Sequence, residues 1–493
     1  MDRDVEHTPA APPRPLRLAV IGAGMAGILS AIKLKEAGLT DFSVYEKADR
    51  VGGTWRENTY PGLSCDVPSH LYSYSFAPTP EWTHRYSPGA EIQAYFERIA
   101  REHNIERQTR FGDEVRSCRF TDGKWHLETA GGHRDQVDVV IAATGVLHHP
   151  RLPDIKGLDD FEGAVFHSSR WDHEFPLDDA RIGIVGTGST AVQMVSALVN
   201  RVAKLSLFQR TAQWVLQQDN PPYTDEQREA FRADEARLTE LRGQLTELFD
   251  TFANAIVDAE SPEMQMIAEA CRTNLDEKVR DPGLREKLRP NYQAACKRLI
   301  ISPDFYDAIQ RPNAELVVEG IERVEPAGVR TGDGRLHELD VLVLATGFKT
   351  DAFMRPMKVV GRDGHTLEEA WAARPSAYLS ISIPGFPNFF MLNGPNGPVG
   401  NFSLIEVAEL QFAYIMQLID RLRSGECREI SATRRAMEEF EAARVEATKK
   451  TVWVTGCRSW YLDDRGVPAT WPWAFDQFRA EMQAPRPTAF EHR

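Results

Sequence analysis

Four apolar runs, each closed by glycine, set the pattern of the chain. The first, LRLAVIGAG from Leu16, predicts a buried parallel strand that empties into Gly22 and Gly24. Met25 to Ala37 follows with apolar residues at helical spacing and Gly38 as a stop, and Phe42 to Tyr45 predicts a second strand ending at Glu46. The same order recurs downstream: a strand over Arg181 to Val185, the turn Gly186-Thr187-Gly188-Ser189-Thr190-Ala191, a helix from Val192 to Asn200, and a strand over Leu205 to Gln209 ending at Arg210. Val137 to Gly145 and Leu339 to Gly347 predict the late strands that close each unit. This pattern is that of an α/β chain with two dinucleotide-binding, Rossmann-like folds.

The positions of these runs nest one unit inside the other. Residues 1–14 are expected to form a disordered tail, 15–149 the first part of the outer unit, 150–345 an inserted unit, and 346–493 the return to the outer one. Within the insertion, residues 224–281 are rich in Ala, Leu, Glu, Gln and Arg, which predicts a helical excursion forming a lid or cleft wall. Ser403 to Arg423 predicts an amphipathic helix, entered through the loop Gly394 to Asn401 and stopped by Gly425.

The two glycine turns share geometry and differ in chemistry. A Gly-x-Gly-x-x-Gly turn lets backbone approach a pyrophosphate, and the helix N-terminus behind it favours that charge. Glu46 stands 24 positions beyond Gly22, where a carboxylate can accept from ribose hydroxyls; Arg210 stands 24 positions beyond Gly186, where a guanidinium suits a 2′-phosphate. The pair reads as an FAD-type nucleotide at the first turn and NADPH at the second. The alternatives are an ordinary surface glutamate and an exposed strand-end arginine.

Composition narrows the class. At 42% apolar and 26% charged the chain is expected to be globular, and its net charge of −14 argues against nucleic acid as a partner. The N-terminus lacks the positive start and apolar run of a secretory signal, no apolar stretch is long enough to span a membrane, and a cytoplasmic protein is expected. Cys65, Cys118, Cys271, Cys296, Cys427 and Cys457 form no C-x-x-C pair and no zinc-type spacing, so they are expected as reduced thiols, with no metal site. Loss of that motif weakens a disulfide-reductase reading, although distant cysteines can still meet in space. Oxygen is the remaining common electron acceptor.

Two longer runs carry a specific resemblance. Gly52-Gly53-Thr54-Trp55-x-x-x-x-Tyr60-Pro61-Gly62-x-x-x-Asp66 and Phe161-x-Gly163-x-x-x-His167-x-x-x-Trp171-Asp172 resemble the two fingerprints of type I Baeyer–Villiger monooxygenases. The resemblance extends through Gln209-Arg210-Thr211, Lys297-Arg298 and Ser459-Trp460-Tyr461, spanning about residues 16 to 461. It implies an FAD enzyme in which NADPH reduces the flavin, O₂ adds to give a flavin C4a-peroxide, and that peroxide converts a ketone to an ester or lactone. Arg298 would be the catalytic cation, oriented by Asp66, with Lys297 helping Arg210 hold the 2′-phosphate. Together the nucleotides would touch Gly22, Gly24, Met25, Ala26, Gly27, Glu46, Gly53, Thr54, Trp55, Asp66, Tyr72, Val115, Gly186, Thr187, Gly188, Ser189, Thr190, Ala191, Arg210, Thr211, Lys297, Arg298 and Trp460. Phe161, Gly163, His167 and Trp171 would serve structure and domain motion, His167 as a hydrogen-bonding linker residue and not a base.

After Tyr461 the chain departs from cyclohexanone-type members, reading Leu462 to Trp473 in place of their Gly-Ala-Asn and Pro-Gly-Lys segment. In this region it is more similar to the 4-hydroxyacetophenone monooxygenase branch, which implies aryl or bulky ketones as substrates; separately, the protein is expected to be a monomer or homodimer, with no membrane and no nucleic acid as partner. Two other functions stay open: a flavin N- or S-oxygenase, and a non-catalytic FAD-bound sensor or scaffold.

Overall fold

In a computed structural model, which describes residues 14–400 and 402–493, the four apolar runs become central strands of two parallel sheets. Residues 1–13 of the expected tail lie outside the described residues. Arg14, also expected there, is instead anchored: its N–H donates to the Arg423 carbonyl at 2.8 Å and its guanidinium to Asp138 at 2.7 Å.

The sheet strands, numbered in chain order, are β1 (Leu18–Ile21), β2 (Phe42–Tyr45), β3 (Thr109–Arg110), β4 (Val139–Ala142), β5 (Ala164–His167), β6 (Arg181–Val185), β7 (Lys204–Phe208), β8 (Ala314–Val317), β9 (Val341–Leu344) and β10 (Phe389–Met391). The first sheet runs β10-β4-β1-β2-β3 and the second β8-β7-β6-β9-β5. Alternate residues feed different cores: Leu18, Val20, Val139 and Ile141 pack on one face, Ala19, Ile21, Val140 and Ala142 on the other. Burial on both faces is why these strands read as continuous apolar runs and do not alternate.

Both closing strands start later than expected, and for one reason. An aspartate interrupts each run: Asp138 accepts from the Arg17 N–H at 3.0 Å, and Asp340 from the Arg181 N–H at 2.7 Å. Each carboxylate thus satisfies a backbone donor at the start of the neighbouring strand, and β4 and β9 begin only after it.

Register brings the strand ends level. Ile21 pairs with Tyr45 and Ala142, and Val185 with Phe208 and Leu344. The next residues, Gly22 and Glu46 in one sheet and Gly186 and Gln209 in the other, therefore emerge together at the carboxyl edges, where open α/β sheets bind ligands.

Helix α1 (Met25–Glu36) follows β1 and α2 (Ser189–Leu198) follows β6. Between β7 and β8 lie α3 (Asp225–Ala233), α4 (Glu235–Ile256), α5 (Pro262–Lys278) and α6 (Pro282–Leu288). Further on, α7 (Leu404–Ser424) ends at Gly425 in the left-handed conformation, and α8 (Phe475–Glu481) lies near the C-terminus. A smaller sheet joins Val115–Thr121, Lys124–Thr129, Arg134–Val137 and Lys358–Val360. Among the described residues no helix is long and apolar enough to cross a membrane.

Candidate functional site

The two glycine turns repeat one backbone solution. Gly22 has φ +103° and Gly186 φ +122°, and a Cβ at either would overlap the carbonyl of Ala143 or Ala345 on the adjacent strand. Only glycine meets both conditions, and the chain can then turn straight from strand into helix. Gly24 and Gly53 face each other so closely that a side chain on Gly53 would press on the Gly24 Cα, leaving bare backbone on the cleft wall.

Helix starts separate scaffold from site. α3, α4, α5 and α6 are capped by Thr224, Asp234, Ser261 and Asp281, each accepting a backbone N–H. α1 and α2 start behind Gly24 and Gly188 with no side-chain acceptor. Their first N–H groups, together with Met25, Ala26, Ser189 and Thr190 on the lining, remain for an anion in the cleft.

That cleft is continuous, about 2110 Å³, and reaches both turns. Of the expected nucleotide-contacting residues, all line it except Gly27 and Ala191, which lie behind the turns. Gly27 sits against the Gly22 carbonyl with no room for a side chain, so its part is to pack helix on strand.

At the first turn, Glu46 is 4% exposed and already engaged. Its Oε2 accepts from the Ala23 N–H at 2.8 Å, Oε1 accepts from the Ala48 N–H at 2.9 Å, and Arg56 pairs with it at 3.1 Å. A plain surface glutamate is excluded. Arg56 was not singled out in the sequence; its position in the run after Trp55 was the available signal. Trp55 donates through Nε1 to the Tyr72 hydroxyl at 3.2 Å, and the two rings stand edge to face on the cleft wall. Val115 lines the cleft from the smaller sheet.

At the second turn the charge is reversed. Burial and the nearby Arg210 cation together lower the pKa of Lys297. Among the described residues neither Arg210 nor Lys297 pairs with a carboxylate, so two mutually repelling cations line the cleft with Thr187 and Thr211, whose carbonyl accepts from the Thr187 hydroxyl at 2.8 Å. Unpaired like charges at close range cost free energy that a phosphate would recover.

Arg298 lines the same cleft. Its Nε donates to Asp66 Oδ2 at 3.0 Å, Nη2 reaches the same oxygen, and Nη1 lies 3.4 Å from the Gly400 carbonyl. Burial, the largest single influence, works against its charge, but Asp66 together with Tyr461 and Cys65 outweighs it and raises the Arg298 pKa above its ordinary value. The Tyr461 hydroxyl lies against the guanidinium as well, a contact not foreseen from sequence. Trp460, 43% exposed, lies against Tyr461 with centroids 4.1 Å apart and ring planes tilted by 33°.

The two fingerprint runs touch each other. Arg170 pairs with Glu57, Thr59 meets His173 at 2.8 Å, and Tyr60 shares a core with Phe166 and Trp171. Tyr60 donates to Gln193 at 2.8 Å and Gly62 packs on the Gln193 carbonyl, so the Tyr-Pro-Gly corner seats α2. Phe161 packs in the other core of the second sheet, and Gly163 lies against the Asp340 carbonyl. His167 is buried away from the cleft: Nδ1 accepts from the Ser169 N–H at 3.1 Å, which leaves Nε2–H to donate to the Gly347 carbonyl at 3.0 Å.

One expectation fails. Cys296 and Cys457, expected as thiols, form a disulfide with Cα atoms 6.1 Å apart across a sequence separation of 161 residues. Short-range spacing carries no information on such a pair; the fold alone brings it together. Cys65, Cys118, Cys271 and Cys427 are free and buried.

Fold and cleft together define a protein built for two dinucleotides. The pyridine nucleotide-disulphide oxidoreductase family profile matches residues 19–228. A Mycobacterium tuberculosis protein named as an uncharacterized monooxygenase is 49% identical over 97% of this chain and 96% of its own. A Baeyer-Villiger monooxygenase of Streptomyces coelicolor is 39% identical over 95% of this chain and 91% of its own. Cyclohexanone monooxygenase from Rhodococcus sp. Phi1, in a crystal structure bound to NADP⁺, superposes with a TM-score of 0.86 at 29% identity, covering 98% of this chain and 99% of that one. The chain belongs to the Baeyer–Villiger monooxygenase family.

Proposed function

We propose that this protein uses NADPH and O₂ to convert a ketone to an ester or lactone, with FAD at the Gly22 turn and NADPH at the Gly186 turn. The observation that carries the reading is Arg298: a guanidinium held by Asp66 on the one cleft that joins both turns. In this reading residues 15–149 and 346–493 form the FAD half and 150–345 the NADP half. Aryl or bulky ketones are the substrate class the departure after Tyr461 favours.

The residues present suit both nucleotides. Uncapped α1 and bare Gly24 and Gly53 would hold the FAD pyrophosphate, and Glu46, paired with Arg56, would accept from its ribose. Arg210 and Lys297 supply the charge a 2′-phosphate needs. When bound, FAD takes two electrons from NADPH and activates oxygen. Arg298 keeps its proton and donates to the negative charge that develops on the ketone oxygen, while Asp66 fixes the plane of the fork. Leu248, Phe249 and Phe252 of α4 line the cleft with apolar surface, which excludes water and receives a hydrophobic ketone.

The test is anaerobic reduction by NADPH, followed by oxygen with a ketone and a sulfide offered together and analysis of both products. Ester formation supports the reading. Sulfoxide without ester would transfer the protein to the heteroatom oxygenases, and flavin that NADPH leaves oxidised would overturn it.

A further inference from the structure

The Cys296–Cys457 disulfide joins the two segments that meet at Arg298. Cys296 is followed directly by Lys297 and Arg298; Cys457 precedes Trp460 and Tyr461 by a few residues. Because the Tyr461 hydroxyl lies against the Arg298 guanidinium, the two stretches and the S–S bond close a small ring. Three of the groups placed at the nucleotide and ketone ends of the cleft, Lys297, Arg298 and Trp460, ride on it.

Little else holds the outer side of that ring. From Gly456 to Trp460, among the described residues, the one backbone hydrogen bond is the Ser459 carbonyl accepting from Leu462 at 3.2 Å. Thr455, Gly456 and Arg458 are exposed, whereas Val452 and Trp453 before them are fully buried. Tyr461 is held from below by Gly400, where a side chain would overlap the hydroxyl. The loop is therefore pinned at Trp453 and Tyr461, and between them the S–S bond is its covalent tie to the protein body.

We propose that this disulfide is a thiol-responsive clamp on the cleft, so that reduction by a dithiol releases the 455–460 loop and uncouples NADPH oxidation from ketone oxygenation. The proposal rests on the functional reading above. The exchange balances: the dithiol loses two electrons and two protons and closes to its own disulfide, and Cys296 and Cys457 gain them as two S–H groups. Attack falls on the loop side, at Cys457, which is 8% exposed between solvent-facing Gly456 and Arg458, whereas Cys296 is fully buried. A cyclic or small-molecule disulfide of the glutathione type reverses it. With the bond open, Trp460 on the released 455–460 loop loses its fixed distance to Arg298, and reduced cofactor is spent on hydrogen peroxide.

The experiment uses the FAD-loaded protein purified without reductant. Thiol labelling after denaturation should find Cys65, Cys118, Cys271 and Cys427 alone, with Cys296 and Cys457 appearing only after dithiothreitol. Reduction should lower ester formed per NADPH by about threefold, and oxidised glutathione should restore it. Trypsin should cut after Arg458 about tenfold faster in the reduced form, since local opening is no longer restricted by a covalent tie next to the site. Cys457→Ser should match the reduced form and ignore dithiothreitol, while Cys427→Ser should respond as the unaltered protein does. Equal coupling and equal cleavage in the two redox forms, or free Cys296 and Cys457 in the purified protein, would overturn the clamp. If neither form oxygenates a ketone, the functional reading fails, and the trypsin rates still decide for or against the clamp.

Discussion

At the scale of single residues the site is organised around guanidinium chemistry. Arg298, on the cleft lining, presents a planar fork whose Nε and Nη2 both reach Asp66 Oδ2, while Nη1 makes only a long contact of 3.4 Å to the Gly400 carbonyl. Arg298→Ala should leave NADPH reduction of the flavin within about twofold while ketone oxygenation falls about a hundredfold or more, the usual cost of removing one donor from a developing charge. Arg298→Lys should not rescue it, because an ammonium cannot hold Asp66 and face the cleft at once; stopped-flow reduction and product yield measure the two halves separately. Arg210→Ala should raise KM for NADPH about tenfold and leave that for NADH nearly unchanged, since only the 2′-phosphate meets the lost charge. Glu46 and Arg210 were legible because each ends a strand at a fixed distance from its glycine turn. Arg298 and Asp66 were legible only through a family resemblance, because nothing local distinguishes Lys297-Arg298 from a surface pair. Tyr461 against Arg298, Arg56 against Glu46 and the Cys296–Cys457 bond were not legible: each depends on where distant segments come to rest.

At the scale of elements, two linkers connect the sheets, and histidines tie them. After β4, His148 Nε2 meets the Phe353 carbonyl at 2.8 Å and His149 Nε2 the Arg355 carbonyl at 3.0 Å; at the end of β5, His167 meets Gly347. Burial first, and for His148 then the neighbouring His149 and Lys47, disfavour the charged rings; the His148 pKa is pushed down to about 4, and those of His149 and His167 are lowered. A depressed folded pKa gives stability that is complete above the unfolded value near 6.5 and drains as pH falls through the folded one. The thermal midpoint should thus hold from pH 8 to about 6.5 and drop toward pH 4. His148→Gln, which keeps an N–H donor and cannot titrate, should flatten that slope; differential scanning calorimetry across pH reads both. The strands and α1 were plain in the sequence because burial on both faces leaves an apolar run that no other element mimics at that length. The smaller sheet went unread, although Val115–Thr121 and Lys124–Thr129 alternate buried and exposed residues around an Asp122-Gly123 turn, which is a hairpin signal.

At the scale of the whole molecule, α4 spans from the second sheet's segment to both ends of the chain. Arg242 donates to the carbonyls of His70 and Ser73 at 3.0 and 3.1 Å, Asn254 accepts from the Phe475 N–H, and Asp250 shares Arg479 of α8 with Glu406 of α7. Arg479 thus pairs directly with two partly buried carboxylates from different elements, besides the exposed Asp476, and burial already raises the Glu406 pKa against the opposing pull of Arg479 and the more distant Arg242. Removing the guanidinium leaves both acids facing each other in a poorly solvated gap. Arg479→Ala should therefore destabilise the protein by about 2 kcal/mol at pH 8. The sign of the pH dependence follows from the carboxyl left behind: at pH 5 a Glu406 whose pKa has risen further takes up a proton, its repulsion with Asp250 vanishes, and part of the loss is recovered. Urea denaturation of the FAD-loaded variant at the two pH values measures this. A loss as large at pH 5 as at pH 8 would mean that Arg479 acts through its packing on the Phe475 ring, 4.3 Å away, and not through charge.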